Sequence, residues 1–336
     1  WILFHAAQLL CGHPKEGFIL FWEGGGQIGK TSFLRWVAKA LGPSADKFNI
    51  QLLCSDREDA DKPNSAIMKF KQLNWAYSEE SNKSQILNVA RMKEMVNSGE
   101  ISGRELHSKQ ETFTMKCNMV AASQYNFIIR TRDHGTWRRI KHYTSKTKFI
   151  QRPDPNNKFE KKENPNFVEK YPDTPEFQTA ILSILVHYYD KLQREYGGEL
   201  KKVQSPHLEH ETETFRKSQD SLHRWICENI VISESDNSES NSTEYNIGTL
   251  GAMFTSWYYK HISQTKLEIS DVIKEIESSA LSKYLKVSMN GSLYLQGCRI
   301  LEENQKIKEG EQLLLKKISN DNSSIDEMTS NVNWWI

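Results

Sequence analysis

No stretch of this 336-residue chain approaches the roughly 18 consecutive apolar residues of a membrane-crossing helix, so no membrane partner is expected. Cysteine is sparse. Cys11, Cys54, Cys117, Cys227 and Cys298 are scattered without a CxxC pair, which argues against a zinc ribbon or a disulfide framework and fits a reducing compartment. Net charge is close to zero, +1, so any contact with nucleic acid must come from local clusters rather than from bulk electrostatics. One such cluster is present: Arg130, Arg132, Arg138, Arg139, Lys141, Lys146 and Lys148, with Asp133 as the only acid among them. A solvated face is the default explanation of such a run. No internal repeat is visible. The length suits two or three domains, 38% apolar and 26% charged residues are ordinary for a soluble protein, and the start at Trp1 reads as a fragment of something longer.

What the chain does carry is a complete GxxxxGK[ST] phosphate loop, Gly24, Gly25, Gly26, Gln27, Ile28, Gly29, Lys30 and Thr31, between an apolar run (Phe18 to Trp22) and an amphipathic one (Ser32 to Leu41). Glycines let backbone N–H groups turn inward around an anion, Lys30 can reach the outer phosphates, and the Thr31 hydroxyl can ligate Mg²⁺. A chance glycine-rich turn would not bring strand and helix flanks with it. ATP and Mg²⁺ are therefore the expected cofactors, with Gly24 through Ser32 as the binding segment. Such a loop needs an acid on a neighbouring strand to position the metal and activate water. Leu73 to Ser78 reads as that strand and delivers Glu79 and Glu80 at its end, with Glu79 beside Thr31 in the metal role. Asn118, read as lying at the end of another core strand, could hydrogen-bond the γ-phosphate or the attacking water; taken alone it is an ordinary strand cap.

Periodicity predicts a helix over Trp1–Cys11, strands over Phe18–Glu23, Asn49–Ser55 and Leu73–Ser78, and helices over Lys30–Leu41 and Ser84–Asn97. Alternating strands and helices imply an α/β class with a largely parallel sheet. Ile101–Leu106 and Thr112–Met119 flank a polar tip, His107-Ser108-Lys109-Gln110, as in a β-hairpin, and Arg138–Tyr143 adds a strand. Gln151–Pro175 reads as a long polar connection, Ala180–Tyr196 and Glu211–Ile232 as helices, and Ser233–Glu244 as a disordered acidic linker. From Tyr245 come helix, turn, helix and two short strands around Met289-Asn290-Gly291, the pattern of a winged helix. The expected domains are a core at 1–150, a helical subdomain at 151–232, the linker at 233–244, a winged-helix-like domain at 245–316 and a polar tail at 317–336.

In order, the phosphate loop, the strand ending in Glu79-Glu80, the segment Lys93 to Leu106, the strand bearing Asn118, and Asp133-His134-Gly135-Thr136-Trp137-Arg138-Arg139 resemble a superfamily 3 helicase. The likeness is to the helicase half of the poxvirus-type primase-helicases of large cytoplasmic DNA viruses. Lys-x-x-x-x-x-Gly from Lys93 is similar to that family's B-prime region, and Asp-x-Gly-x-Trp-Arg-Arg to its arginine-finger region. The similarity continues to Gly297-Cys298-Arg299, over nearly the whole chain. It implies an AAA+-like P-loop ATPase core with a β-hairpin insertion, assembled as a homo-hexameric ring that hydrolyses ATP at subunit interfaces and moves 3′ to 5′ along single-stranded DNA at forks.

The resemblance further implies a primase domain in the same full-length chain, contact with a replication polymerase or processivity factor, and work in viral replication factories in the host cytoplasm. Arg138 and Arg139 would be the fingers supplied in trans, Arg139 favoured, and His107 and Lys109 would meet DNA from the hairpin tip, with Lys93 and Arg104 as looser candidates. Two departures stand out: Ile28 replaces a common Asn, and Ala121–Ser123 lacks a common proline. The alternative function is a nucleotide-clamped DNA-binding or assembly module without unwinding. A small-molecule P-loop kinase would leave the hairpin, the Trp-Arg-Arg segment and the wing unexplained. His207-Leu208-Glu209-His210-Glu211 lacks the HExxH order of a zinc site, and Trp334-Trp335 could bind a partner.

Overall fold

Parallel strands that are apolar on both faces need cover on both sides, and the first part of this chain supplies it. The structure is a computed structural model that describes residues 1–12, 16–56, 64–79, 85–96, 99–131, 133–232, 245–279, 281–288, 291–296 and 298–301. The chain divides into two units, Trp1–Asp220 and Ser221–Ile336. The first runs α1 (Ile2–Gln8), β1 (Ile19–Glu23), α2 (Lys30–Leu41), β2 (Ala45–Lys47), α3 (Ser65–Met68), β3 (Trp75–Ser78), α4 (Val89–Val96), β4 (Glu100–Gly103), β5 (Glu111–Thr114), β6 (Asn118–Ser123), α5 (His134–Trp137), β7 (Ile140–Thr144), β8 (Lys148–Ile150), β9 (Glu160–Lys162), α6 (Asn166–Glu169), α7 (Pro175–Tyr196) and α8 (Pro206–Gln219).

Five strands form an all-parallel sheet in the order β2-β3-β6-β1-β7. Alternation divides their side chains between two cores. Ile19 and Phe21 join Met119, Ala121, Met92, Phe127 and Trp137 on one face, while Leu20 and Trp22 join Val120, Ala122, Leu34, Val37 and Leu185 on the other. Each buried Val, Leu, Ile, Phe or Met among them contributes about 1.5–3 kcal/mol, so the sheet is held from both sides. Thr174 caps α7 through the Phe177 N–H, Pro175 opens the helix and left-handed Gly197 ends it. α8 covers the edge strand β7, where the His142 N–H donates to Thr212 Oγ1 at 3.0 Å. The helices from 175 to 219 therefore share one unit with the sheet.

The second unit contains α9 (Ser221–Asn229), β10 (Ile230–Ile232), β11 (Tyr245–Asn246), α10 (Ile247–His261), α11 (Ile269–Glu277), β12 (Leu285–Val287), β13 (Leu293–Leu295) and β14 (Cys298–Ile300). β11-β13-β12 is an antiparallel sheet and β10 pairs with β14. Leu222, Trp225, Leu250, Phe254, Val272, Ile276 and Leu295 form its core. Asn246 Oδ1 caps α10 by accepting the Gly248 N–H at 2.8 Å, and Ser288 N–H to Ser292 O at 2.8 Å closes the turn between β12 and β13. The linker at 233–244, and Trp334-Trp335 with the rest of the tail, lie outside the described residues.

Several elements differ from expectation. Asn49–Ser55 is not a strand: Asn49 Oδ1 accepts the Gln51 N–H at 2.9 Å and bends the chain into a 3₁₀ turn, Ile50–Leu53. The edge strand is β2, just before it. The helix expected from Ser84 begins only at Val89, because Leu87 N–H bonds Ile128 O and Ile128 N–H bonds Gln85 O, keeping the intervening residues extended. Gln151–Pro175 carries β9, α6 and a 3₁₀ turn. Glu211–Ile232 is broken at Asp220 and ends as β10. The hairpin is present as β4 and β5, registered Gly103 with Glu111, but β5 stops at Thr114 and Asn118 opens β6 instead of closing a strand.

Candidate functional site: a phosphate loop at the carboxyl edge of the sheet

β1 ends at Glu23 and α2 begins at Lys30, so the glycine-rich segment sits at the carboxyl edge of the parallel sheet. The Gly24 N–H donates to Ser123 O at 3.2 Å, pinning the start of the loop to β6. Gly24 has φ +143°, and a Cβ there would lie 2.5 Å from Ile28 Cδ1; only glycine fits. Gln27 adopts φ 66° and Gly29 φ 80°. No side chain caps the first turn of the 12-residue α2, which leaves a helix N-terminus and its amides for an anion. Lys30 is only 7% exposed. Its Nζ donates to Gly24 O, with Gly25 O at 3.4 Å, so the ammonium bridges the loop on backbone carbonyls. Burial lowers its pKa, and the Glu23 carboxylate opposes that shift. An uncapped helix start, an ammonium that among the described residues is held by backbone carbonyls, and a hydroxyl at Thr31 form a donor set that fits a polyphosphate with its cation. Ser32 follows on the same first turn.

Strand register places the acid. Ser78 pairs with Ala121, which pairs with Phe21, so Glu79 emerges from β3 at the same edge as the loop. Its Oε1 accepts from Arg35 Nε at 3.2 Å and its Oε2 pairs with Lys47. Arg35 is one helical turn beyond Thr31 on α2, which brings Glu79 and Thr31 to one neighbourhood and fits the metal-holding pair expected of them. Glu80 lies outside the described residues.

Asn118 is not brought to the loop. It is level with Trp75 at the amino end of β6, and five strand steps of about 3.3 Å separate it from Ser123. Its Nδ2 donates to His5 O at 2.7 Å in the core. The polar groups that do gather at the carboxyl edge are Glu23, Asn126 and His142. His142 Nε2 lies 3.0 Å from both Glu23 Oε2 and Asn126 Oδ1, and its ring stacks on Phe215 at 4.3 Å. Sequence reasoning missed Asn126 because it ran β5 and β6 together. Counting forward from the end of a strand that begins at Asn118 would have found it.

Arg138 and Arg139 stand at the opposite edge. Ile19 N–H donates to Arg139 O at 2.8 Å and β7 starts at Ile140, level with the amino end of β1. Arg138 is exposed. Arg139 Nη1 donates to Gly135 O, and burial, then the Arg138 charge, lower its pKa against the pull of Asp133. Asp133 caps α5 by accepting from Gly135 N (3.0 Å), Thr136 N (2.9 Å) and Thr136 Oγ1 (2.8 Å). Lys93 is drawn here, paired with Asp133, rather than to the hairpin. Arg104 sits half-buried at the hairpin base, its carbonyl accepting the Asn64 N–H at 2.9 Å. Of these candidates for DNA contact, His107, with φ 63°, and Lys109 stand exposed in the loop between β4 and β5. His207 Nε2 lies 3.0 Å from Thr144 O, a hydrogen bond to backbone.

A parallel sheet bearing GxxxxGKT between its strand β1 and helix α2 defines a P-loop α/β unit. Among known proteins, the chain is 48% identical over 315 residues to a "Putative primase" of African swine fever virus (isolate Warthog/Namibia/Wart80/1980), covering 94% of this chain and 32% of that protein. It thus spans about a third of that relative's length. It is 26% identical over 160 residues to a "Putative helicase" of frog virus 3 (isolate Goorha), covering 45% of this chain and 16% of that protein. With a "Putative helicase" of Acanthamoeba polyphaga mimivirus the figures are 23% over 239 residues, 69% and 24%. The chain is therefore homologous to part of a viral protein of the primase kind and, distantly, to viral helicases. No family model matches it. The apo C-terminal region of NrS-1 overlaps 88% of this chain and 70% of its own at 12% identity, TM-score 0.40. A ligand-bound JCV helicase overlaps 57% and 60% at 10% identity, TM-score 0.33.

Proposed function

We propose that this chain is the motor part of a viral primase-helicase, a superfamily 3, AAA+-like ATPase that unwinds DNA. The observation that carries the reading is the division of the sheet between two edges. The phosphate loop and Glu79 share the carboxyl edge, while Arg138 and Arg139 stand about one strand length away at the amino edge. A finger placed there cannot reach its own loop, but it can serve the loop of a neighbouring subunit, which supports a homo-oligomeric ring with composite sites. When bound, Mg²⁺ and ATP supply the reactive phosphoanhydride and the charge neutralisation. Lys30 and the loop amides hold the phosphates, Thr31 and Glu79 hold the cation, Glu79 takes a proton from water, and Asn126 orients that water in the role first expected of Asn118.

The order α9, β11, α10, α11, β12, β13 in the second unit supports a winged-helix-like module for DNA or protein contact. His107 and Lys109 offer a sequence-indifferent hold on a DNA phosphate. The primase segment, the polymerase-side partners and the cytoplasmic factory belong to the same proposal. The test is Lys30→Ala, assayed for DNA-stimulated ATPase and strand displacement; both should be lost. If both persist, the motor reading fails, and nucleotide binding without unwinding by the wild type would favour the clamp alternative.

A further inference from the structure

We propose that Phe149 is the nucleobase platform of this site: the base of a nucleoside triphosphate held in the loop stacks on the open face of its ring, with Phe159 alongside. The proposal rests on the phosphate-loop reading. Three observations meet at Phe149. Its backbone N–H donates to Gln27 O at 2.7 Å, so β8 is hydrogen-bonded to the loop itself. Its ring lies against Gly29, where an added Cβ would come within 3.3 Å of Phe149 Cε2, so the glycine before Lys30 also makes room for an aromatic face. Yet the residue remains 41% exposed.

Phe159, 40% exposed, lies on the adjoining strand, where Lys148 N–H bonds Phe159 O at 2.8 Å. The register Phe149 with Lys161 puts Phe149, Phe159 and Lys161 on one face of the β8-β9 ribbon. Lys158 Nζ stands 5.4 Å from the Phe159 ring centre, and Lys146 and Lys148 add positive charge, against Glu160 and Glu163. A single exposed phenylalanine needs no explanation. Two on one ribbon face, one of them tied by its backbone to a phosphate loop, give a base somewhere to lie once the phosphates are seated. Stacking reads the π-face, which every base has, so ATP and GTP should bind within several-fold of each other.

The test compares ATP with inorganic tripolyphosphate, which has phosphates but no base, by calorimetry on the full chain and its variants. Phe149→Ala should weaken ATP roughly 5- to 150-fold and leave tripolyphosphate unchanged. Phe149→Leu, which keeps bulk without a flat ring and guards against misfolding, should do the same more mildly, and Phe149→Tyr should bind like the wild type. Equal ATP affinity in wild type and Phe149→Ala overturns the proposal alone. So does an equal loss of both ligands, because the ring then only supports the loop. Loss confined to a single-stranded oligonucleotide would assign the ring to DNA and also overturn it. If the wild type binds neither ATP nor tripolyphosphate, the phosphate-loop reading itself falls.

Discussion

Arg35 on α2 holds Glu79 at the end of β3, Nε to Oε1 at 3.2 Å, and Lys47 takes the acid's other oxygen. The group proposed to accept a proton from water is thus occupied by two cations of its own chain. Both cations are 48% exposed, so each pair adds no more than about 1 kcal/mol, and an arriving cation and phosphate can displace them. Glu79→Gln should lower kcat about 10²- to 10⁴-fold while nucleotide affinity stays nearly constant. Arg35→Ala should change unfolding free energy by under about 1 kcal/mol. Steady-state ATPase, nucleotide titration and urea melts check all three. Full turnover in Glu79→Gln would leave Glu80 as the working acid.

In the proposed function Asn126 takes the role that the sequence suggested for Asn118. Asn118 is buried against His5 O, so Asn118→Ala should cost about 1–3 kcal/mol of stability and leave kcat near the wild-type value at a temperature where the variant is folded. Asn126→Ala should do the reverse, lowering kcat about 10²- to 10³-fold, the cost of losing one positioned hydrogen-bond group. Paired melts and turnover measurements decide it. An Asn118→Ala chain that is stable but inactive would reinstate the first reading.

The loop from Gly24 to Thr31 was legible because its chemistry is local, and its strand and helix flanks are written in contiguous residues. Glu79 was legible for the same reason, as the first residue past an apolar run. Asn126 was not, since its position depends on where β6 starts, and the apolar pattern of 112–119 runs through the break between β5 and β6. The Asn49 turn was hidden by apolar neighbours that suit a strand, and a single side-chain cap overrode them. Lys93 and Arg104 looked available for DNA by charge alone; an ion pair to Asp133 and a seat at the hairpin base are tertiary facts.

His5 makes stability depend on pH. It is 1% exposed, stacked on Trp1 at 5.2 Å, and neither ring nitrogen has a hydrogen-bond partner among the described residues. Burial, helped by the amino-terminal charge, pushes its pKa down to about 3. An unfolded histidine titrates near 6.5, so below that pH the unfolded chain takes up a proton that the folded chain refuses. The stabilising contribution is complete above about 6.5 and is lost progressively as pH falls toward 3, at up to 1.36 kcal/mol per pH unit. Unfolding free energies of wild type and His5→Phe between pH 7.5 and 4.5 should diverge by that slope. Parallel curves would mean that the imidazole is protonated in the fold.

The opposite-edge placement of Arg139 predicts shared sites. A Lys30→Ala subunit lacks the loop ammonium but keeps its finger, and an Arg139→Ala subunit keeps the loop but lacks the finger. If a finger serves only a neighbour, each variant alone should be nearly inactive, because a trans arginine is worth roughly 10³- to 10⁵-fold in rate. In a mixture, some interfaces join an intact loop to an intact finger, and ATPase should rise as a bell-shaped function of mixing ratio with its maximum near equal amounts. Arg138→Ala in place of Arg139→Ala tests which arginine acts, since Arg138 is exposed, whereas Arg139 must leave Gly135 O to reach a phosphate. Mixing that stays flat at every ratio, with subunits shown to exchange, would mean that each site is complete within one chain, and the amino-edge arginines would then have no part in hydrolysis.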